Sequence, residues 1–549
     1  MPSLILGPLL RYADIHEATV WVETSEPCEV EILGRTQRTF CVAGHHYAIM
    51  ILEGLEPGGQ YPYDVKLDGE VAWPEKDERQ GLIRTPAADN ELRLAFGTCR
   101  RTLPHVPPYV YTKDRDREGR EVDSLYALSE RMIAADDDTW PDALLLIGDQ
   151  VYADMVSPLV LKKIEDRRST KSGAGEQIAD FEEYTWLYHE SWGDPAVRWI
   201  LATLPSAMIF DDHDVIDDWN TSGSWARSQR KKEWWRERLL GAYMSYWLYQ
   251  HLGNLTPDEL RQEKTLAALN EHDGDGESIL REFAGKAADE IASTRWSFSR
   301  DYGRTRMVVL DTRAGRIIED DSARQMLSDS QWEWVTEQMN GDVDHLLIAS
   351  SLPILMSHGL HHLEGWNEAL CAGAWGKWAR WPSEQLRRLI DLEHWPAFRG
   401  SFDRLVDDIE EIGSGKRGEA PASVILLSGD VHHAYLAEAE YPADREVRSK
   451  VVQAVCSPMR NPLDTIERSF MHAALSRPGR AIGKFLSRSA KVPKSPLRWE
   501  FVQSPTFDNQ IGTVEIKGRS SRVKIERTEP EDWRAPKLHE SLNVEVSSG

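Results

Sequence analysis

The sequence predicts an α/β protein in which a small β-sandwich precedes a larger domain of layered sheets and helices. Three observations predict it. Residues 1–85 alternate apolar and polar side chains between turn residues, as antiparallel strands do. After them the alternation gives way to short, continuously apolar runs spaced by long helical or polar stretches, the pattern of strands buried on both faces. Several of these runs end in carboxylate, imidazole, thiol or phenol side chains, the groups from which catalytic centres are made.

The amino-terminal elements follow from turn chemistry. Ala18-Thr19-Val20-Trp21-Val22-Glu23 alternates as a half-buried strand, and Cys28-Glu29-Val30-Glu31-Ile32-Leu33 follows a Ser-Glu-Pro turn. Leu55-Glu56-Pro57-Gly58-Gly59-Gln60-Tyr61 places turn residues ahead of Tyr63-Asp64-Val65-Lys66-Leu67. This corner before a strand resembles an immunoglobulin or fibronectin type III sandwich. Residues 84–90 read as a linker, which sets a β-sandwich module at 1–88 and a second, larger domain at 89–549.

In the second domain the apolar runs are 92–96, 143–147, 207–210, 307–310, 346–349, 424–427 and 451–455. Between them 231–249 and 330–339 read as helices, and no internal repeat is visible. Residues 254–293 form an acidic insertion with helical patterning. Its His272-Asp273-Gly274-Asp275-Gly276-Glu277 lacks the spacing of a calcium-binding EF-hand loop and is read as a solvated turn. Residues 468–494 are the reverse: Arg468, Arg477, Arg480, Lys484, Arg488, Lys491 and Lys494 occur without one carboxylate. Phe470, Met471, Leu475, Ile482, Phe485 and Leu486 interleave with them. The segment is a basic amphipathic element, either a surface helix docked on the acidic body or a lid contacting anionic substrates or a membrane periphery. The tail beyond Pro530 is polar and reads as frayed.

Composition narrows the partners. Lys plus Arg total 65 and Asp plus Glu total 90, a formal charge of −25. That excludes a general nucleic-acid groove, which needs a basic surface, but not a small phosphorylated substrate held through metal ions. Five scattered cysteines argue against a disulfide scaffold. No run approaches the ~18 apolar residues of a membrane span, and no secretory, twin-arginine or lipidation motif is visible, so a cytoplasmic location is expected. The 21 Trp imply extensive aromatic packing, and Trp366, Trp375, Trp378 and Trp381 are read as core or cleft wall.

The ends of the apolar runs carry the chemistry. Leu94-Ala95-Phe96 leads into Gly97-Thr98-Cys99-Arg100, and Ala143-Leu144-Leu145-Leu146-Ile147 into Gly148-Asp149-Gln150-Val151-Tyr152. Ala207-Met208-Ile209-Phe210 leads into Asp211-Asp212-His213-Asp214, and Val424-Ile425-Leu426-Leu427 into Ser428-Gly429-Asp430-Val431-His432-His433. Each alone has a bland explanation: Asp149 as a strand-end cap, Cys99 as a small core residue, Asp211-Asp212 as a solvated loop. Ligands bind where the carboxyl ends of strands converge, and four such ends together make a metal centre the natural inference. Carboxylates packed this closely repel one another unless cations neutralise them.

In this order and strand context the motifs resemble those of the PhoD-type (alkaline phosphatase D) metallophosphatases of the calcineurin-like metallophosphoesterase superfamily. The resemblance covers most of the chain from Leu92 onward and implies a four-layer α/β/β/α sandwich with a multi-metal centre at the sheet edge. It implies Cys99, Asp149, Tyr152, Asp212, Asp430 and His432 as metal ligands, Asp149 bridging, with ferric iron, Fe(3+), and calcium, Ca(2+), as the cofactors. Ferrous iron, zinc and manganese are alternatives at a thiolate site in a reducing compartment. The activity implied is hydrolysis of a small phosphate ester by metal-activated water attacking phosphorus in line. His213 would bond the phosphoryl or leaving-group oxygen, Asp214 would orient its ring, and Arg100 and Arg101 are candidate phosphate contacts, with a surface salt bridge as the alternative.

Asp211 and Asp212 stand where the superfamily usually has glycine and asparagine, which changes the charge of the second metal position. His358-Gly359-Leu360-His361-His362 has metal-like spacing but is read as structural or substrate-side, and His433 has no assigned role. Two other functions compete: a phosphodiesterase acting on nucleotides, phospholipids or wall polymers, and a non-catalytic binding protein with a degenerate metal site.

Overall fold

The protein, described from a computed structural model covering residues 1–76, 78–87, 91–319 and 324–548, is built on five sheets. The sequence boundary at residue 88 lies outside the described residues.

Ten strands precede it: β1 (Leu4–Ala13), β2 (Glu17–Thr24), β3 (Glu29–Ile32), β4 (Arg35–Arg38) and β5 (Phe40–Val42) come first. Then follow β6 (His45–Glu53), β7 (Gln60–Tyr63), β8 (Val65–Leu67), β9 (Glu70–Trp73) and β10 (Gly81–Arg84). They form sheets of order β1-β2-β6-β5, β4-β3-β8-β9 and β10-β7, all antiparallel. One apolar core joins them, with Val20, Val22, Ala48 and Met50 from the first sheet, Val30 and Val65 from the second, and Ile83 from the third. The alternate residues Trp21, Tyr47 and Ile49 belong to the core of the rest of the molecule. The strand read as half-buried is thus covered on both faces, and Thr19 and Glu23 are buried with it. The reason is docking: Tyr47 packs edge-on and Trp21 tilted against Tyr249, at ring distances of 5.8 and 5.2 Å.

The remaining strands make two mixed sheets. The first has the order β13-β12-β11-β21-β22-β23, from β11 (Glu91–Gly97), β12 (Ala143–Ile147), β13 (Ser206–Ile209), β21 (Gln510–Lys517), β22 (Ser520–Arg527) and β23 (His539–Ser547). The second has the order β14-β15-β16-β17-β19-β18-β20, from β14 (Phe298–Tyr302), β15 (Thr305–Leu310), β16 (His345–Ser350), β17 (Ser423–Ser428), β18 (Tyr435–Glu440), β19 (Lys450–Val455) and β20 (Arg498–Phe501). Strands β11 to β13 are parallel, as are β15, β16, β17 and β19, and all seven contain a predicted apolar run. Their side chains share one continuous core, and Ser521 Oγ donates to Ser423 Oγ across the sheets at 3.1 Å. Helix Ser124–Ala134 packs on β21 of the first sheet, Asp329–Met339 and Arg399–Ser414 pack on the second, and Pro195–Thr203 packs on β1 and β10 of the amino-terminal module.

The tail expected to fray is instead strand β23, paired antiparallel with β22. Leu542-Asn543-Val544-Glu545-Val546 alternates, and Leu542 and Val546 are buried, so the burial of one face outweighs the polarity of the rest. The helix read over 231–249 is an α-helix, Trp235–Ser245, that runs on into one π turn, Tyr246–Gln250. In the acidic insertion, Asp275 accepts from the backbone N–H groups of Ala43 and Gly44, 2.8 Å each. That turn docks the insertion on the amino-terminal sheet.

Candidate metal centre

The parallel strands of both sheets end at one edge, where their loops are cross-linked by backbone hydrogen bonds. Arg100 N donates to Asp149 O at 3.2 Å, Met459 N to Thr98 O at 2.8 Å, and Gly429 N to Ser351 O at 3.0 Å. Four non-glycine residues here are held in the left-handed region: Cys99 (φ 55°), Asp149 (52°), Asp430 (65°) and His432 (51°). Each such residue costs about 1–2 kcal/mol, and strain of this kind gathers where the chain aims side chains at a site. The glycines permit the approach. A Cβ on Gly429 would stand 1.6 Å from Thr98 Cγ2, and one on Gly148 (φ 100°) 2.5 Å from Asp211 Cβ.

The result is a buried cluster of acids. Ligand atoms of Asp149, Asp212 and His213 lie within 4.8 Å of one another, and so do those of Asp211, Asp212 and Asp430. Oxygens Asp149 Oδ1, Asp211 Oδ2 and Asp212 Oδ1 are buried without a hydrogen-bond partner among the described residues. Burial, reinforced by the neighbouring aspartates, pushes Asp149 far above the carboxylate range and Asp211 up to about 8. Burial and the charges of Asp149 and Asp430 also push the Cys99 thiol up, and burial and Asp149 push up the Tyr152 phenol. Added positive charge would favour the ionised form of each of these groups. Orphaned oxygens beside a thiol and a phenol therefore fit metal cations.

The expected ligands converge to different degrees. Tyr152 Oη donates to Asp149 Oδ2 at 3.4 Å, accepts from Asn461 Nδ2 at 3.4 Å, and its ring lies 4.6 Å from that of His213. Cys99 Sγ accepts from Ser457 Oγ at 3.2 Å, and the same Oγ accepts from the His432 backbone N–H at 3.2 Å, which ties both loops together. Burial lowers the His432 imidazole to about 4, leaving it neutral and able to coordinate. Asp430 is paired with His394 Nε2 at 3.2 Å.

Two expectations change. Asp214 does not orient His213. Its carboxylate accepts from the N–H groups of Asp149 (3.0 Å), Asp211 (2.9 Å) and Val151 (3.3 Å), knitting the two strand-end turns together. The partner of His213 Nδ1 is Asp154, at 3.0 Å. Burial would lower this imidazole, but Asp154, Asp212 and Asp149 raise it well above the usual range. Arg100 is buried and turned away, its guanidinium donating to Asp123 Oδ2 (2.8 Å) and Ser191 O (2.8 Å), so it is a structural ion pair rather than a phosphate contact. Arg101 instead lies near Tyr152 and Asp154, and its Nε has no partner among the described residues.

Sequence reasoning missed the built-in cation of the pocket. Arg313 is fully buried and bonds Asp211 through Nε and Glu393 Oε1 through Nη1 (2.6 Å). Its Nη2 lies 3.4 Å from Asp212 Oδ1 and 3.7 Å from Asp430 Oδ1. Arg316 adds a second contact to Glu393, at 3.1 Å. The signal was present, because Asp311-Thr312-Arg313 follows an apolar run as the other motifs do. Glu393 and His394 follow a helix rather than a strand, and no strand-end pattern marks them. On the solvent side of Asp212, the exposed Asp217 and the half-buried Asp218, which burial pushes up to about 9, extend the acidic cluster.

The remaining histidines stand apart from the cluster. His361 is buried against Phe402 and Trp499, at ring distances of 5.0 and 4.8 Å, and His358 stacks on Trp499 at 4.8 Å. His433 Nδ1 bonds Val431 O at 2.6 Å and stacks on Tyr435.

Comparison with known proteins agrees with this architecture. A family model described as PhoD-like phosphatase matches residues 123–526, and one described as a domain of unknown function (DUF7800) matches residues 1–85. Among solved structures, one titled "Structure of PhoD" superposes with a TM-score of 0.59 at 14% identity, covering 99% of this chain and 92% of that one. A maltogenic amylase from S. marinus aligns with a TM-score of 0.17, too low to bear on the fold. No curated protein matches significantly.

Proposed function

The chain belongs to the PhoD-like phosphatase family, a family of phosphoester hydrolases, and we propose that its hydrolysis is metal-dependent and takes place in the pocket of Asp149, Asp212 and Asp430. One observation supports this above all: Asp149 Oδ1 and Asp211 Oδ2 are buried with no hydrogen-bond partner among the described residues, in two groups of possible ligands that share Asp212. Leaving a buried charge unpaired costs several kcal/mol, so such oxygens imply a cation.

Cys99, Tyr152, Asp149 and His432 would hold iron, whose ferric form favours anionic phenolate and carboxylate donors. Asp149, Asp212 and Asp430 would hold calcium, which takes oxygen donors only. When bound, these cations supply an activated water and neutralise the phosphoryl oxygens. The chain's own residues supply the rest. Asp154 fixes the His213 ring through Nδ1, leaving Nε2 to hold the proton given to the phosphoryl or leaving-group oxygen. Arg313 neutralises Asp211 and lies close enough to Asp212 and Asp430 to offset part of their charge. Arg101, rather than Arg100, is the cation available to a phosphate.

We also assign residues 1–88 to a β-sandwich module and 89–549 to the catalytic domain, supported by a core between the module's own sheets to which the rest of the chain adds Ala202. The test is turnover of an aryl phosphate monoester and a bis-aryl diester by metal-loaded and chelated enzyme. Metal-dependent turnover of either supports the reading, and their ratio separates phosphatase from phosphodiesterase. Metal binding without turnover of any phosphoester would favour the non-catalytic reading.

A further inference from the structure

Two helices turn large apolar side chains into solvent among cations. In Lys377–Leu389, Ala379, Ser383 and Arg387 point inward, while Trp378 is 73% exposed and Trp381 72%. In Arg477–Ser489, Gly483 and Ser487 point inward, while Ile482 is 62% exposed and Phe485 72%. Trp378 and Trp381 thus correct the expectation that they form core or cleft wall.

Both helices pack on a third, His358–Cys371. Asn367 Nδ2 donates to Ser383 O at 2.8 Å, and a Cβ on Gly483 would meet Gly359 O at 2.7 Å, so the basic helix lies directly on the shared one. The two come together around Leu370, Ala379 and Ala490, and Trp375 Nε1 donates to Ser489 O at 3.2 Å. Single exposed apolar residues need no explanation, but bulky ones gathered on two adjoining helices do.

Charge decides the partner. Lys377, Arg380 and Arg388 on the first helix and six cations from Arg477 to Lys494 make nine, in a chain whose net charge is −25. Across residues 377–390 and 477–494 the one carboxylate is Glu384, which is paired with Arg387 at 3.1 Å, and from outside them Glu500 pairs with Arg480 at 3.1 Å, leaving the cations in large excess. The local surface therefore opposes the sign of the whole molecule and matches an anionic partner. The apolar groups stand out singly between cations and include aliphatic Ile482, which cannot stack on a base as a nucleic-acid platform would require. Aromatic and aliphatic side chains flanked by Lys and Arg are the makeup of helices that lie in a membrane interface.

We propose that helices Lys377–Leu389 and Arg477–Ser489 form a face that docks the protein on an anionic lipid bilayer. Trp378, Trp381, Ile482 and Phe485 enter the headgroup boundary, and the cations contact lipid phosphates. The shared helix also carries Glu364, which pairs with His394 Nδ1 at 2.7 Å, and His394 Nε2 in turn pairs with Asp430. Docking therefore places the bilayer one helix away from the acidic pocket, and it does not depend on the chemistry assigned there.

The test is co-sedimentation of the full chain with vesicles of phosphatidylcholine alone and with 30% phosphatidylglycerol. Binding to the anionic vesicles that weakens with salt is expected. Lys484→Gln, Arg488→Gln and Lys491→Gln together should lower the partition coefficient on the order of a hundredfold, about fivefold per cation. Trp378→Ser with Trp381→Ser should lower it at least tenfold, with thermal melting and aryl phosphate turnover in solution unchanged. Equal affinity for both vesicle types, or variants that partition like the parent, would overturn the proposal. So would a lipid-free dimer that the same substitutions dissociate, or binding of single-stranded oligonucleotide in place of vesicles.

Discussion

His213 Nδ1 is bonded to Asp154 Oδ1 at 3.0 Å, whereas the adjacent Asp214 binds three backbone N–H groups and leaves the ring alone. Asp154→Asn should therefore lower kcat by roughly 10²–10³ and also lower the melting temperature, because the His213 ring loses its orienting partner and a buried ion pair loses one charge. Asp214→Ala should act on stability first. It leaves three buried donors unmet and should cost on the order of 3 kcal/mol or more of stability, read by chemical denaturation.

Arg313 faces four carboxylates from a fully buried position. Arg313→Gln should destabilise the apo protein by roughly 3–5 kcal/mol, the cost of stranding buried charge. Added metal should recover part of that loss in melting temperature, since a cation substitutes for the missing guanidinium. Equal melting of parent and variant without metal would show that the aspartates are neutral on their own.

The amino-terminal module is tied to the rest through Glu23, which contacts His45 Nδ1 and His189 Nε2 at 2.9 Å each, and His45 reaches Glu182 at 2.9 Å. Burial would lower the His45 imidazole, but hydrogen bonds to Glu182 and Glu23 raise it from 6.5 to about 9. A raised folded-state value means the stabilisation is complete below pH 6.5 and is lost as pH rises through about 9. Melting temperature should fall across that interval by an amount equivalent to roughly 2 kcal/mol, after solvent screening of a partly exposed group. His45→Ala should flatten the slope. Glu23, held low against burial by His189 and His45, contributes in the other direction and loses its contribution as pH falls.

Gly148→Ala should be poorly tolerated, since its backbone is left-handed and its Cβ would press on Asp211. The expected result is a loss of metal affinity larger than the loss of stability, because the displaced group is a pocket carboxylate.

The sequence made the strand-end residues legible because seven parallel strands carry uninterrupted apolar runs, so the first polar group after each run marks the same edge of a sheet. Asp149, Asp212 and Asp430 were singled out just beyond such run ends, and the fold brings Asp212 close to Asp149 and to Asp430. What Asp214 and Asp154 each do was not legible, because side-chain aim depends on which loop donates N–H groups across the edge. Glu393 and His394 enter from a loop after a helix, and only the fold brings them to Asp430. The basic helix was visible as a pattern, but Trp378 and Trp381 read as core because tryptophan usually is. Eight other tryptophans are indeed among the largest fully buried side chains. Only the packing of Ala379 and Ser383 inward turns these two outward.

The central claim is that the acidic pocket works through bound cations. Elemental analysis of the purified chain, paired with aryl phosphate turnover before and after chelation, tests it most directly. Stoichiometric metal is expected, with turnover that falls to about 1% or less on chelation and returns on re-addition, and loss of both in Asp149→Asn. Full turnover by metal-free protein, or full metal content and activity in Asp149→Asn, would contradict it.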